Sequence, residues 1–340
     1  MLTRLLLAVF LIPIFADAQS SFDVYVRVSA DVKTGIESKT EFPTIQMALD
    51  HHPFLRADAS GQQGRVYIQI APGIYNERLV ITQNHPRIVL IGMGKSPADV
   101  VITNSLNAVE AGGTFVSQTV EVNGSDFEAD NITIANSDKS GEPAVALAIR
   151  SDRAILKHCR ILGHRHALFA DYGRQYYFDT YIEGDVHFIF GNATAVFDHS
   201  EIHSNGAGFI TSQSRTSPDQ TSGYVFLGCR VTSSGGDAKS KMMQTVGLGD
   251  PWRPYSRVVF IRTELPETVI PAGWWDRGDP ANQTTAYYGE AENKGAGADF
   301  SARVSWVHQL TLDQEKSYLP EVFLRGSDHW DAKAEAERLP

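Results

Sequence analysis

Cysteine, positive charge and long apolar runs are all scarce in this chain of 340 residues. Beyond residue 18 no apolar stretch approaches the roughly 20 residues that a membrane-spanning helix needs, so we expect no membrane span. The formal net charge is -10 at pH 7, which excludes a general electrostatic attraction to nucleic acid or to anionic lipid. Any polyanionic ligand would therefore have to be held by local positive charge.

The longest apolar run stands at the N-terminus, from Leu5 to Phe15, directly after the single basic residue Arg4. Small residues follow this run, and the whole pattern is typical of a secretory signal peptide that is cleaved after Ala18. We therefore expect residues 1–18 to be a signal peptide and the protein to be secreted or periplasmic. Since no Pro/Ser-rich linker divides residues 19–340, we expect them to form one domain.

Charged residues make up only 21% of the chain, whereas 28 Gly, 12 Tyr and 17 Phe suit a turn-rich β protein. Five segments each place a β-branched residue two positions after a small or apolar residue and just ahead of turn residues. These residues are Ile134, Ile161, Ile182, Ile202 and Val231. Their spacing of 20 to 29 residues is typical of a parallel β-helix, in which each coil stacks on the last. The alternative is a β-sandwich with coincidental spacing.

Two further expectations follow from this ladder. The run TIQMALDHH at residues 44–52 predicts a short helix that caps the N-terminal end of the solenoid. Cys159 and Cys229 each stand two residues before a ladder position, with two coils between them. Strands that stack about 4.8 Å apart would separate these cysteines by roughly 14 Å, which is too far for a disulfide. We therefore expect two free, buried thiols.

His166 and His187 also occupy equivalent positions, each five residues after its ladder isoleucine. Because equivalent positions on adjacent coils stack, we expect the two imidazoles to be neighbours on one face, with their backbones about one strand spacing apart. Both precede apolar strands, HALF and HFIF. A lone histidine is usually structural, whereas two at one position of adjacent coils leave a functional and a structural interpretation equally open.

Motifs along nearly the whole mature chain resemble those of the pectin methylesterase (pectinesterase) family. They include FPTIQMALD from Phe42, APGIYNERLVI from Ala71, DFEADNITIANS from Asp126, RQYYFDTYIEGDVHFIFG from Arg174 and DPWRPYSRVVF from Asp250. The resemblance implies an all-β fold, a single-stranded right-handed parallel β-helix, and the demethylation of homogalacturonan without a cofactor. It also implies a mechanism in which one aspartate attacks the methyl ester and a second acts as acid and base. Two glutamines stabilise the oxyanion, and an arginine holds the nucleophile.

This chain departs from the family at all five of those positions. The acid-base aspartate is replaced by His166, the glutamine before it by Arg165, the nucleophilic aspartate by His187, the glutamine of QAVAL by Pro143, and the arginine of LGRPW by Asp250. A single oxyanion donor commonly contributes about 2.7 to 4 kcal/mol. We therefore predict that two-aspartate hydrolysis is lost or strongly reduced.

The preferred interpretation of the substituted site is a groove that binds pectin or a related polyuronate. The aromatic side chains expected to face sugar rings are Trp252, Tyr172 and Phe188, with Trp274 and Trp275 as further candidates. Arg165, together with protonated His166 or His187, is expected to meet uronate carboxylates. We expect this protein to act as a monomer.

Two alternatives assign chemistry to the same residues. In the first, His187 and Asp250 form a base dyad that activates water or a hydroxyl for hydrolysis of another ester, with Ser212 as the nearest hydroxyl in the motifs. In the second, His166, His187 and Asp250 bind a metal such as zinc. The metal belongs to this alternative only, since the preferred interpretation needs no cofactor.

Overall fold

A computed structural model describes residues 23–32, 40–51, 64–85, 87–234 and 245–338 of the chain. The expected signal peptide at residues 1–18 and His52 lie outside these described residues. Within these residues, twenty-six strands form three sheets in which every strand pair is parallel. The chain visits the three sheets in turn, so the predicted parallel β-helix is confirmed.

The first sheet has twelve strands. They are β1 (Val24–Val28), β2 (Glu41–Phe42), β3 (Val66–Ile70), β6 (Ile88–Gly92), β9 (Glu128–Asp130), β12 (Ala154–Lys157), β15 (Arg174–Phe178), β18 (Thr194–Asp198), β21 (Gly223–Leu227), β24 (Arg257–Ile261), β25 (Tyr287–Ala291) and β26 (His308–Gln309). The second sheet has seven strands. They are β4 (Gly73–Asn76), β7 (Val100–Asn104), β10 (Thr133–Asn136), β13 (Arg160–Leu162), β16 (Tyr181–Gly184), β19 (Glu201–Ser204) and β22 (Arg230–Ser233).

The third sheet carries the candidate site and also has seven strands. They are β5 (Leu79–Ile81), β8 (Val120–Val122), β11 (Leu147–Arg150), β14 (Leu168–Tyr172), β17 (Ile189–Gly191), β20 (Gly208–Gln213) and β23 (Val246–Pro251). From β3 to β23 each coil of the solenoid contributes one short strand to every sheet, whereas β1, β2 and β24 to β26 belong to the first sheet alone. Apolar side chains from the inward faces of all three sheets meet in one continuous buried core.

The predicted ladder runs along the second sheet in register. Ile134 pairs with Ile161, Ile161 with Ile182, Ile182 with Ile202, and Ile202 with Val231. All five side chains are buried in the interior core. Stacking of like residues at one position of successive coils is therefore confirmed, and it fixes the register of the other two sheets.

The helices in the described residues are all short. They are α1 (Ile45–His51), α2 (Ala108–Ala111), α3 (Asn282–Thr285), α4 (Leu312–Lys316), α5 (Pro320–Phe323) and α6 (Ala332–Ala336), with 3-10 helices at Pro97–Asp99, Thr114–Val116, Ala296–Ala298 and Phe300–Ala302. Helix α1 packs against β1, β2, β3 and β5, which confirms the predicted N-terminal helix. None of the helices in the described part of the chain is long and apolar enough to cross a membrane.

Both cysteines lie inside the solenoid wall as free thiols. Cys159 and Cys229 are buried, and neither forms a disulfide. Burial raises the pKa of each thiol to about 12, so neither is a reactive thiolate at neutral pH. The expectation of two free, buried cysteines is confirmed.

Candidate functional site

Side chains from successive coils form a column on the outer face of the third sheet. Ala148 pairs with Phe169, Phe169 with Phe190, Phe190 with Ser212, and Ser212 with Asp250. Phe169 and Phe190 belong to an apolar cluster that is separate from the interior core. The parallel register therefore places an aromatic surface and Asp250 along one line.

The two histidines stand at the turns that lead into β14 and β17. Both have left-handed backbone conformations, with φ of 68° at His166 and 47° at His187. Their ring centroids lie 6.2 Å apart with an interplanar angle of 18°. His166 also stacks on Phe190, at 4.5 Å between centroids. The expected neighbourhood of the two imidazoles is thus confirmed.

Asp250 is fully buried and holds three neighbouring side chains together. Its Oδ2 atom lies 2.7 Å from Nε2 of His187. Ser212 donates its hydroxyl to Oδ1 at 3.0 Å, and Nη1 of Arg277 lies 3.6 Å from the same oxygen. Because Ser212 bonds to the carboxylate, no serine-histidine-aspartate relay is formed. Asp250 is therefore the centre of a small polar network beneath the cavity.

His166 is in a much less polar environment than the sequence predicts. Its Nδ1 atom is buried and has no hydrogen-bond partner within the described ranges. Burial lowers the pKa of this imidazole to about 3, with further lowering by His187, Arg165 and Arg277. The low pKa argues against a protonated His166 in the ligand-free protein. The contact of His166 or His187 with a uronate stays a prediction.

Neutral His166 should make the protein sensitive to acid. The pKa of its imidazole is about 3 in the folded state, whereas the ordinary value is 6.5. At pH values between these two, the unfolded chain therefore binds a proton at His166 that the folded protein does not bind. Its contribution to stability is present above pH 6.5 and is lost as pH falls toward 3. We expect His166→Asn, which tolerates a positive φ, to flatten the pH dependence of the unfolding free energy by about 1 kcal/mol per pH unit in this window.

Chemical denaturation at pH 7, 6, 5 and 4 measures this difference. His308→Gln serves as the control, because His308 is exposed on β26 and should leave the slope unchanged. Parallel stability curves for the unmodified protein and His166→Asn would contradict the assignment of a neutral, buried imidazole.

A cavity of about 250 Å³ opens above the column. Its lining residues are Thr114, Phe115, Arg165, His166, His187, Phe190, Ser212, Trp252 and Arg277. Phe115 stacks against Trp252 at 6.2 Å between centroids, and Phe190 lies 6.0 Å from the same ring. None of the described residues that line this cavity is an aspartate or a glutamate. The cavity therefore combines an aromatic wall with two guanidinium groups and two imidazoles.

Several residues expected at the groove lie elsewhere. Phe188 and Trp274 are buried in the interior core, so their assignment to substrate contact is wrong. Phe188 is buried because the backbone makes a left-handed turn at His187. After this turn both Phe188 and Ile189 point inward, and Phe190 lies on the outer face. Trp274 stacks on Tyr288 instead.

Three other candidates lie outside the cavity lining. Tyr172 is exposed at the end of β14, where its contact with a sugar stays a prediction. Trp275 is partly exposed and stacks on Phe209. Pro143 accepts a hydrogen bond from the backbone of Ala108 through its carbonyl. Five sequence candidates line the cavity directly, namely Trp252, Arg165, His166, His187 and Ser212.

Sequence reasoning missed Arg277, Phe190 and Phe115. Arg277 reaches the cavity from a loop that belongs to no strand and has no repeat position, so the ladder carries no signal for it. Phe115 comes from the 3-10 helix Thr114–Val116, which also lies outside the repeat. Phe190 belongs to the motif HFIF, but only knowledge of the left-handed turn would have selected its second phenylalanine.

The metal alternative has no donor set in the part of the chain that the structure describes. There, no group of three or more His, Cys, Asp or Glu side chains is arranged to hold a metal ion. Nε2 of His187 is already engaged by Asp250, and the His166 ring lies against Phe190. These three residues therefore form a hydrogen-bonded and stacked cluster.

A larger, open groove of about 640 Å³ lies at the turns between the first and second sheets. Its lining includes His158, Arg160, Tyr181, His199 and Arg230. None of the sequence-predicted site residues borders it. The 250 Å³ cavity is therefore the candidate site, and the larger groove provides control positions.

The chain is similar to known proteins in both sequence and fold. A family model described as Pectinesterase matches residues 31–327. Pectinesterase 31 of Arabidopsis thaliana is 36% identical over 310 residues, which are 88% of this chain and 92% of the relative. Pectin methylesterase from carrot superposes with a TM-score of 0.80 at 31% identity, covering 95% of this chain and 98% of the carrot protein. A pectin methylesterase in complex with hexasaccharide VII gives a TM-score of 0.74 at 26% identity, with 93% and 99% of the two chains covered.

Proposed function

The chain belongs to the pectinesterase family, and from this premise we propose that it is an exported, monomeric protein that binds pectin at the 250 Å³ cavity. We propose further that hydrolysis by the two-aspartate mechanism of the family is absent or strongly reduced. The likeness to a pectin methylesterase in complex with a hexasaccharide supports a polyuronate as the ligand. The aromatic wall around Trp252 is suited to the face of a sugar ring.

One observation carries the proposal. The cavity lining holds His166 and His187 at the positions that the family resemblance assigns to aspartates, and it contains no carboxylate among its described residues. A nucleophilic carboxylate cannot attack an ester from this lining. Arg165 also stands where the resemblance places an oxyanion-stabilising glutamine. Ligand binding therefore remains possible while the covalent mechanism has lost its reacting groups.

A second candidate function rests on the 2.7 Å contact between His187 and Asp250. In this candidate the carboxylate orients the imidazole, and the Nδ1 atom of His187 acts as a base toward water that attacks an ester. Ser212 is not the nucleophile, because its hydroxyl is buried and donates to Asp250. This candidate requires an oxyanion partner, for which Arg277 is the cationic group beside Asp250.

Binding and hydrolysis can be separated with one preparation of the protein. We expect calorimetric titration with pectin oligomers to give saturable binding, while methyl-esterified pectin at pH 5 to 8 releases no methanol above the rate without protein. Sustained methanol release would overturn the binding-only proposal. Loss of that release in His187→Asn would then assign the reaction to the dyad, and its loss on addition of chelator would assign it to a metal.

A further inference from the structure

Two guanidinium groups in the cavity have donors to spare. Arg277 donates from Nη1 to Ser212 and to the carbonyl of Pro251, but its Nε and Nη2 atoms have no hydrogen bond to any described residue. Arg165 is exposed, and its side chain makes no hydrogen bond or ion pair with the described residues. Both side chains line the same cavity. Unused N–H donors of arginine therefore converge on the space where a ligand would bind.

The acid beside these arginines cannot satisfy them. Asp250 is fully buried, and its two oxygens are engaged by His187 and Ser212. Nη1 of Arg277 approaches Asp250 at 3.6 Å, which is beyond hydrogen-bond distance. The open side of the cavity therefore presents positive charge, even though the whole chain has a net charge of -10.

His166 adds an unsatisfied polar atom to the wall of the same cavity. Its Nδ1 atom is buried without a hydrogen-bond partner in the described structure, which is costly unless a ligand supplies one. In the neutral ring this atom is either an N–H donor or an acceptor, depending on the tautomer. The donors that reach the open space of the cavity are therefore those of the two arginines.

Resting on the proposed function, we propose that this cavity selects a free uronate carboxylate over a methyl ester, so that the protein recognises de-esterified stretches of pectin. A free carboxylate offers two charged oxygens, which match the planar donor fork of arginine. A methyl ester has no charge, and its methyl group blocks one of the oxygens. The replacement of two aspartates by His166 and His187 thus changes the preferred form of the ligand from the methyl ester to the free carboxylate.

The inference is tested with two hexasaccharides of galacturonate, one fully de-esterified and one fully methyl-esterified. We expect calorimetric titration of the unmodified protein to give affinity about tenfold or more higher for the de-esterified oligomer. Arg165→Gln should reduce this preference without disturbing the network, because Arg165 has no partner to lose. Arg277→Gln should reduce it as well, and agreement between the two variants separates ligand recognition from local rearrangement around Asp250.

Arg230→Gln is the matched control, since Arg230 is an exposed arginine that borders the larger groove and pairs with Glu201. Unchanged preference in this variant supports the assignment, whereas loss of the preference would place binding in the larger groove and overturn it. Equal affinity for the two oligomers would overturn the selectivity while leaving pectin binding intact. Binding of neither oligomer would overturn the proposed function and the selectivity with it.

Discussion

A variant that carries His166→Asp, His187→Asp, Asp250→Arg, Arg165→Gln and Pro143→Gln is expected to release methanol from methyl-esterified pectin at least about 10³-fold faster than the unmodified protein. The reason is that these changes return a nucleophile, an acid-base group, a guanidinium clamp and oxyanion donors together, and one donor alone commonly changes the rate by about 10²- to 10³-fold. Groups that act as a unit give little when restored singly. We therefore expect each single substitution to remain inactive.

The structure supports this expectation at the level of the backbone. Positions 166 and 187 already lie on adjacent coils with their rings 6.2 Å apart, and position 250 already contacts position 187. Arginine at position 250 would face a carboxylate introduced at 187, so the polarity of the present pair is reversed while its geometry is kept.

Methanol release by the five-site variant is compared with that of a control in which His187→Asn replaces His187→Asp. The control keeps the other four changes but lacks a nucleophilic carboxylate, so it should stay inactive. A five-site variant that is folded, binds pectin and releases no methanol would contradict the view that the scaffold has remained competent for the chemistry of the family.

The repeat made the positions of the two histidines predictable. Ladder residues such as Ile161 and Ile182 pair directly in the second sheet, and a fixed offset from them carries His166 and His187 to stacked positions. In a parallel solenoid the register propagates from coil to coil, since each strand pairs with its equivalent on the next coil. A sequence repeat therefore determines which side chains are neighbours across the coils.

The directions and charges of individual side chains were less predictable. A left-handed turn at His187 reverses the alternation that a strand would show, and this moves Phe188 inward and Phe190 outward. Arg277 arrives from a loop without a repeat position. The neutral state of His166 depends on packing against Phe190, because burial is the main cause of its low pKa. Each of these features depends on tertiary contacts that no periodic pattern encodes.

The pairing of His187 with Asp250 is expected to make a large contribution to folding. Replacement of His187 by Asn keeps a residue that tolerates the left-handed backbone but removes the imidazole that contacts the buried carboxyl group at 2.7 Å. Breaking a buried pair by removing one partner commonly costs about 3 to 5 kcal/mol. Ser212 and Arg277 still approach Asp250 in this variant. We therefore expect the free energy of unfolding to fall by about 3 kcal/mol, at the lower end of that range.

The chain offers a closely matched control for this measurement. His199 also has a left-handed backbone, with φ of 50°, and its Nδ1 lies 2.5 Å from Asp198, but its side chain is 68% exposed whereas that of His187 is 15% exposed. Asp198 is buried, but Tyr176 still donates to its other oxygen at 2.6 Å. Because the His199 imidazole itself is exposed to solvent, which weakens its attraction to the carboxylate, His199→Asn should cost less than about 1 kcal/mol. Denaturant unfolding of both variants, together with Asp250→Asn and the double variant, completes a thermodynamic cycle. Additive losses for His187→Asn and Asp250→Asn would show that the buried pair is not energetically coupled. Equal losses for His187→Asn and His199→Asn would contradict the larger contribution expected from the buried imidazole.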